Sequence, residues 1–168
     1  VFSAGYTEGR DAGKVEVVSH GLVLDGSLLG STHVGRNQRD PGGKYVPPRG
    51  GQLALGDATG SGDSAQPDYH LPEVVFDSGT PELPAGFDSD PLNASLGARA
   101  DRVTLTAQPA AGGFNRIEIY SNKRITQNVA LDLNGVAPDV EANGNKIATI
   151  KLVGREIDEG DAHSGRPL

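Results

Sequence analysis

The residue types best suited to chemistry in this sequence are carboxylates and amides in loops rich in glycine and other small residues. They are Asp57, Asp63, Asp88, Asp90 and Asn93, and the last three follow the spacing Asp-x-Asp-x-x-Asn. Calcium takes roughly six to eight oxygen ligands, commonly from carboxylates and loop carbonyls. The sequence therefore predicts a calcium site drawn from these five residues.

The alternative for the same residues is a solvated, charged loop that keeps the protein soluble. An EF-hand is excluded for the run that begins at Asp88. Its sixth position holds Asn93, where that loop needs glycine, and its twelfth holds Arg99, where it needs glutamate. The calcium prediction therefore depends on the density of oxygen ligands alone.

Motifs for catalysis or for transition-metal binding are weak. The Gly-Asp-Ser run at 62–64 resembles the surroundings of a hydrolase nucleophile, but Ala65 and Gln66 follow it and fit no such site. Histidine pairs show none of the spacings that place two imidazoles on one metal. The four histidines are His20, His33, His70 and His163. We therefore expect no catalytic residues, no cofactor other than calcium, and a structural or solvent-facing role for each histidine.

Alternation of apolar and polar residues with period two predicts short strands along the chain, and no window shows a convincing helical stripe. The predicted strands lie at 14–17, 20–24, 52–55, 73–76, 102–106, 116–120, 129–133 and 147–153. Turn signals separate the later strands at 112–113, 121–122, 134–135 and 143–144. Short strands with such turns indicate an all-β fold, an antiparallel sandwich or a set of barrel-like sheets.

One segment carries the net charge of the chain and most of its prolines. The 168 residues have a formal net charge of −7, yet no lysine or arginine stands between Arg49 and Arg99, where eight residues are acidic. Eight of the 11 prolines fall between Pro41 and Pro91. We therefore predict a single β domain over residues 1–168, in which 30–100 form a long, irregular, acidic Gly/Pro-rich arm or loop between strand regions.

Composition excludes or disfavours several functions. The chain has no cysteine, which excludes disulfides, Fe–S clusters and cysteine nucleophiles. Its basic residues are scattered and its net charge is negative, which disfavours nucleic acid as a partner. No apolar run approaches the roughly 20 residues of a membrane span. With no tryptophan, few aromatic platforms are present for a sugar or another small molecule.

The sequence favours a non-enzymatic structural protein whose arm contacts neighbouring subunits in a homo-oligomer or a larger protein assembly. A virion decoration, capsid-surface or tail component would fit, as would a subunit of an extracellular fibre or surface layer. The predicted location is therefore extracellular or on a virion surface. One alternative is a loop-based binding module for calcium, carbohydrate or a receptor. The other is a hydrolase whose acid pair is assembled only in space.

Overall fold

The computed structural model describes residues 5, 7–35, 38, 48–58, 68–83, 87, 99–107, 112–131, 139–140, 146–147 and 149–158. For 139–140, 146–147 and 156–158 only the backbone is described. These residues contain ten short strands. They are β1 (Lys14–Val17), β2 (Gln52–Leu55), β3 (Glu73–Phe76), β4 (Arg102–Leu105), β5 (Arg116–Tyr120), β6 (Arg124–Gln127), β7 (Asp139–Val140), β8 (Lys146–Ile147), β9 (Thr149–Val153) and β10 (Glu156–Asp158). Within the described part of the chain, no helix has the length and apolarity needed to span a bilayer.

Eight of the strands form two four-stranded sheets in which every pairing is parallel. The first sheet has the order β1-β2-β5-β9, and the second has the order β10-β6-β3-β4. The remaining strands, β7 and β8, pair with each other in antiparallel fashion. The chain passes from the first sheet to the second at β2–β3, β5–β6 and β9–β10, and each passage forms one level of a stack. This arrangement is that of a parallel β-solenoid.

The level at one end of the stack is built from two distant parts of the chain. β1 pairs with β2 at one edge of the first sheet, and β4 pairs with β3 at the corresponding edge of the second. After β3 the chain therefore returns to the level of β1 before it continues to β5. We call the level of β1 and β4 the head, and the level of β9 and β10 the tail.

An ion pair between a buried arginine and an exposed aspartate joins the two parts of the head. Arg99 precedes β4, and its side chain is only 6% exposed. Its Nη1 donates to both carboxylate oxygens of Asp25, at 2.9 and 3.0 Å. Because Asp25 lies in the connection after β1, this contact ties that connection to the start of β4.

The two sheets share one hydrophobic core. Alternate residues of β2 and β5 point inward from the first sheet, and alternate residues of β3, β4 and β6 point inward from the second. The core residues are Leu53, Leu55, Leu71, Val74, Phe76, Val103, Leu105, Phe114, Ile117, Ile119 and Ile125, each at most 3% exposed. Burial of an aliphatic side chain of this size contributes about 1.5–3 kcal/mol. The two strands that fall within residues 30–100, β2 and β3, lie in the interior of their sheets.

The predicted antiparallel arrangement is wrong, because both large sheets are parallel. Alternation of apolar and polar residues shows which face of a strand is buried. The pattern is the same whether neighbouring strands run parallel or antiparallel. The turn signal at 121–122 does not close a hairpin. It forms a corner where the chain leaves β5 and enters β6. At this corner the buried Ser121 bridges to Leu71 of the neighbouring level, and its hydroxyl donates to Pro72 O.

The positions of several strands were predicted better than their direction. The strands expected at 52–55, 73–76 and 116–120 are confirmed as β2, β3 and β5. Residues 129–131, part of an expected strand, are not in a strand, although Val129 and Leu131 pack against the core. The preceding strand β6 was missed, because only Ile125 marks a buried face among its four residues.

Candidate functional site

Two histidines that are far apart in sequence meet at one corner of the stack. His20 follows β1 and His70 precedes β3, and their ring centroids lie 5.2 Å apart with the planes tilted by 38°. Asp68 joins them, with its Oδ2 at 3.9 Å from His20 Nε2. One ligand atom from each of the three residues lies within 4.8 Å of the others. We call these residues, together with Asp57, the His–Asp cluster.

Asp68 is held in place by the neighbouring level of the stack. Its Oδ1 accepts a hydrogen bond from Asn122 Nδ2 at 2.6 Å and another from the His70 backbone N–H at 2.9 Å. Asn122 also accepts from the Tyr69 N–H through its Oδ1 at 2.8 Å. The hydrogen bond from Asn122, followed by that from the His70 backbone, holds the pKa of Asp68 below its usual value. Asp68 is therefore a fixed carboxylate whose Oδ2 faces His20.

His70 has a restrained backbone and a buried ring nitrogen. Its φ of 69° lies in the left-handed region, where histidine is enriched several-fold over most other non-glycine residues. Its Nδ1 lies 3.0 Å from Asp57 Oδ1, and both atoms are buried. The approach does not meet the alignment of a hydrogen bond in this conformation.

Gly56 makes the turn that brings Asp57 to this corner. It has a φ of 72°, and its N–H donates to Val17 O at 2.8 Å. A Cβ at this position would lie 2.5 Å from Tyr69 O and 2.6 Å from Tyr120 O. Only glycine fits both the backbone angle and this close approach.

No known family model, curated protein or solved structure matches this chain. The residues of the site therefore carry the only indication of its chemistry. Two imidazoles and two carboxylates can bind a cation, exchange protons, or form a neutral polar cluster.

A second polar feature is a groove of about 440 Å³ on the outer face of the second sheet. Glu73 lies in it and accepts from Arg102 Nε at 2.8 Å. Asp77, at the end of β3, accepts from the Ser78 N–H at 2.7 Å and from Asn128 Nδ2 at 3.2 Å. These hydrogen bonds, the Ser78 one foremost, lower the pKa of Asp77. The groove thus presents charged and amide groups that are already engaged with one another.

A third feature is the exposed edge of the first sheet at the head. Val15 of β1 is in register with the core residue Leu53 of β2, yet it is 42% exposed. At the same level, Val103 of β4 is fully buried and Leu105 is 1% exposed. The core is therefore open at Val15 of β1, whereas it is closed along β4.

The predicted calcium ligands are not gathered into one described site. Asp57 belongs to the His–Asp cluster, beside His70. Asp63, Asp88, Asp90 and Asn93 lie outside the described residues. His20, Asp68 and His70 were not predicted as ligands, because no two histidines stand at a metal-binding spacing in the sequence. The local signal that could have been used is the Asp68-x-His70 pair; its approach to His20 depends on stacking of the levels.

Proposed function

We propose that this chain is a non-enzymatic structural subunit that assembles head to tail, with β1 of one copy pairing with β9 of the next. The observation that carries the proposal is the open edge at Val15, a core-facing position of an edge strand. Edge strands offer unpaired backbone groups to a further strand. An assembly of this kind suits a fibre or the surface of a particle.

The core-facing residues of the two edges match in type. If β9 pairs with β1 in the register used throughout the first sheet, Ile150 of one copy lies beside Val15 of the next. Leu152 then lies beside Val17. These pairs continue the rows Val15–Leu53–Ile117–Ile150 and Val17–Leu55–Ile119–Leu152. The contact would therefore cover the exposed part of Val15 with aliphatic side chains.

The outward-facing charges of the two edges also match. Glu16 and Lys151 are the terminal members of the row Glu16–Ala54–Glu118–Lys151. In the head-to-tail pairing, Lys151 of one copy lies beside Glu16 of the next. Opposite charges on directly paired residues contribute roughly 0.2–1 kcal/mol and help to set the register. A shift by one residue would place the apolar row against solvent.

The polar groove supports a non-enzymatic function. Its carboxylates Glu73 and Asp77 are four residues apart on one extended segment, which places their Cα atoms about 13 Å apart. Both carboxylates already have partners, Arg102 for Glu73 and Asn128 for Asp77.

A binding module is the alternative function, and the same groove favours it. A polar, open groove of about 440 Å³ could accept hydroxyl groups through Arg102 and Asn128. Titration calorimetry with neutral and acidic oligosaccharides tests this alternative. Saturable binding that is lost in Arg102→Ala, but retained in Arg49→Ala, would favour it over the assembly function.

The assembly function is tested by sedimentation velocity over a wide range of protein concentration. We expect the unmodified chain to form a concentration-dependent series of species larger than a dimer. Glu16→Lys should shift this series towards the monomer, because it places two lysines side by side at the contact. Glu8→Lys makes the same charge change at an exposed residue outside the strands and should have no effect. A monomer at every concentration would refute the proposal.

A further inference from the structure

We propose that the His–Asp cluster is a binding site for a divalent transition-metal ion of the Zn²⁺ class, with His20, Asp68 and His70 as ligands. The inference concerns a corner of the stack rather than the β1 edge, and it does not depend on the assembly function. It rests on the donor atoms, their separation, and the groups that fix them.

The separation of the donor atoms suits one small ion. A Zn²⁺ ion binds histidine nitrogen and carboxylate oxygen at about 2.0–2.2 Å, so that the ligands of a tetrahedral site lie roughly 3.4 Å apart. The His20 Nε2 to Asp68 Oδ2 distance is 3.9 Å, and the three donor atoms lie within 4.8 Å. The His20 side chain is 73% exposed, so a rotation can bring its ring closer. Asp68 is held by Asn122 and by the His70 N–H, so the exposed ring of His20 is the member that can adjust.

The fixed members of the cluster have supporting contacts of the kind that metal ligands use. Asp68 Oδ1 is engaged by Asn122 Nδ2, which leaves Oδ2 turned towards His20. Asp57 Oδ1 lies 3.0 Å from His70 Nδ1. Binding of an ion through Nε2 would let Nδ1–H turn towards this carboxylate, which the present alignment does not do. Carboxylates commonly orient a metal-binding histidine in this way.

The donor types favour a transition metal over calcium. Imidazole nitrogen suits zinc, copper, nickel and iron, whereas calcium takes roughly six to eight oxygen ligands. Two of the three proposed ligands are imidazoles, and the fourth position of a tetrahedral site would be left to water. The nitrogen donors therefore separate this site from the calcium site that the acidic loops predict.

The test is titration calorimetry of the full chain, prepared without a histidine tag and freed of metal with a chelator. We expect one Zn²⁺ per chain and much weaker binding of Ca²⁺. His20→Ala should weaken Zn²⁺ binding at least tenfold, and Asp57→Asn by about tenfold through the orientation of His70. His33→Ala, which removes another exposed histidine, should leave the affinity unchanged.

A spectroscopic measurement separates the loss of a metal ligand from an effect of the substitution on folding. Co²⁺ in a site with nitrogen ligands gives visible absorption bands, and these should appear in the unmodified chain and in His33→Ala. They should be lost or altered in His20→Ala, whose exposed side chain can be removed without opening the core. Absence of Zn²⁺ binding would overturn the proposal. Equal affinity in the unmodified chain and in His20→Ala would overturn it as well.

Discussion

The two edge strands of the head differ in how they are covered, although they stand at the same level of the stack. Val103 of β4 is fully buried, whereas Val15 of β1 is 42% exposed. The connection after β1 contributes Leu22, Leu24 and Leu28 to the core. Through Asp25 it also binds Arg99 beside β4. An edge of a parallel stack can thus be closed by its own chain or left for another strand, and this head contains one edge of each kind.

The largest expected effect on stability is that of Val103→Ala on the closed edge, compared with Val15→Ala on the open edge. Val103→Ala removes buried methyl groups and leaves a cavity, which should lower the free energy of unfolding by about 2–3 kcal/mol. Val15→Ala should cost less than about 1 kcal/mol in the monomer, because the side chain is already partly in water. Urea unfolding at a concentration that keeps the chain monomeric measures both. Equal losses would contradict the contrast between the edges.

A smaller effect is expected from the ion pair that joins the head. Asp25→Asn leaves the buried Arg99 without its carboxylate partner, and we expect a loss of about 1–2 kcal/mol. Amide hydrogen exchange should then speed up in β4 more than in β1. Faster exchange in β1 alone would show that this contact does not secure the closed edge.

The same ion pair predicts a dependence of stability on pH. The hydrogen bond from Arg99 is the main cause that lowers the pKa of Asp25. A lowered carboxyl pKa stabilises the folded chain above the unfolded value of about 3.9, and this contribution is lost as the pH falls through the folded value. The acid-induced loss of stability should be smaller in Asp25→Asn than in the unmodified chain.

A smaller loss than that of Asp25→Asn is expected at the corner away from both edges. Asn122→Ala removes the hydrogen bonds to Asp68 Oδ1 and from the Tyr69 N–H, which should cost about 1 kcal/mol. The pKa of Asp68 should rise towards its ordinary value, because its main lowering contact is gone. A carboxyl titration followed by NMR checks this. Exchange in β1 and β4 should be unchanged, which makes this variant a control for the two edges.

The sequence allowed several strands to be located, but their arrangement could not be deduced from it. Arg116 to Tyr120 alternates cleanly, and Val74 and Phe76 mark a buried face in β3. Parallel pairing depends on which levels stack, and the Ser121 corner looks the same as a hairpin turn in sequence. The role of β2 and β3 at the centre of the sheets was likewise hidden by the acidic, proline-rich residues around them.

The candidate sites were still harder to predict. The His–Asp cluster joins His20 to Asp68 and His70 across two levels, so no short spacing in the sequence predicts this cluster. The open edge at Val15 has the same alternating pattern as the buried strands, since Val15 and Leu53 occupy the same row. Whether other parts of the chain cover a core-facing valine depends on the path that the chain takes after the strand. That path depends on how the whole head packs.

The most direct test of the head-to-tail contact is to mix two variants, each checked for folding by circular dichroism. Glu16→Lys alone brings lysines together at the contact, and Lys151→Glu alone brings glutamates together. An equimolar mixture restores a lysine–glutamate pair at every contact. We predict that each variant shifts towards the monomer at the concentrations where the unmodified chain assembles, and that the mixture regains the larger species of the unmodified chain. A mixture that does not regain them, or a Lys151→Glu variant that assembles normally, would contradict the pairing of β1 with β9.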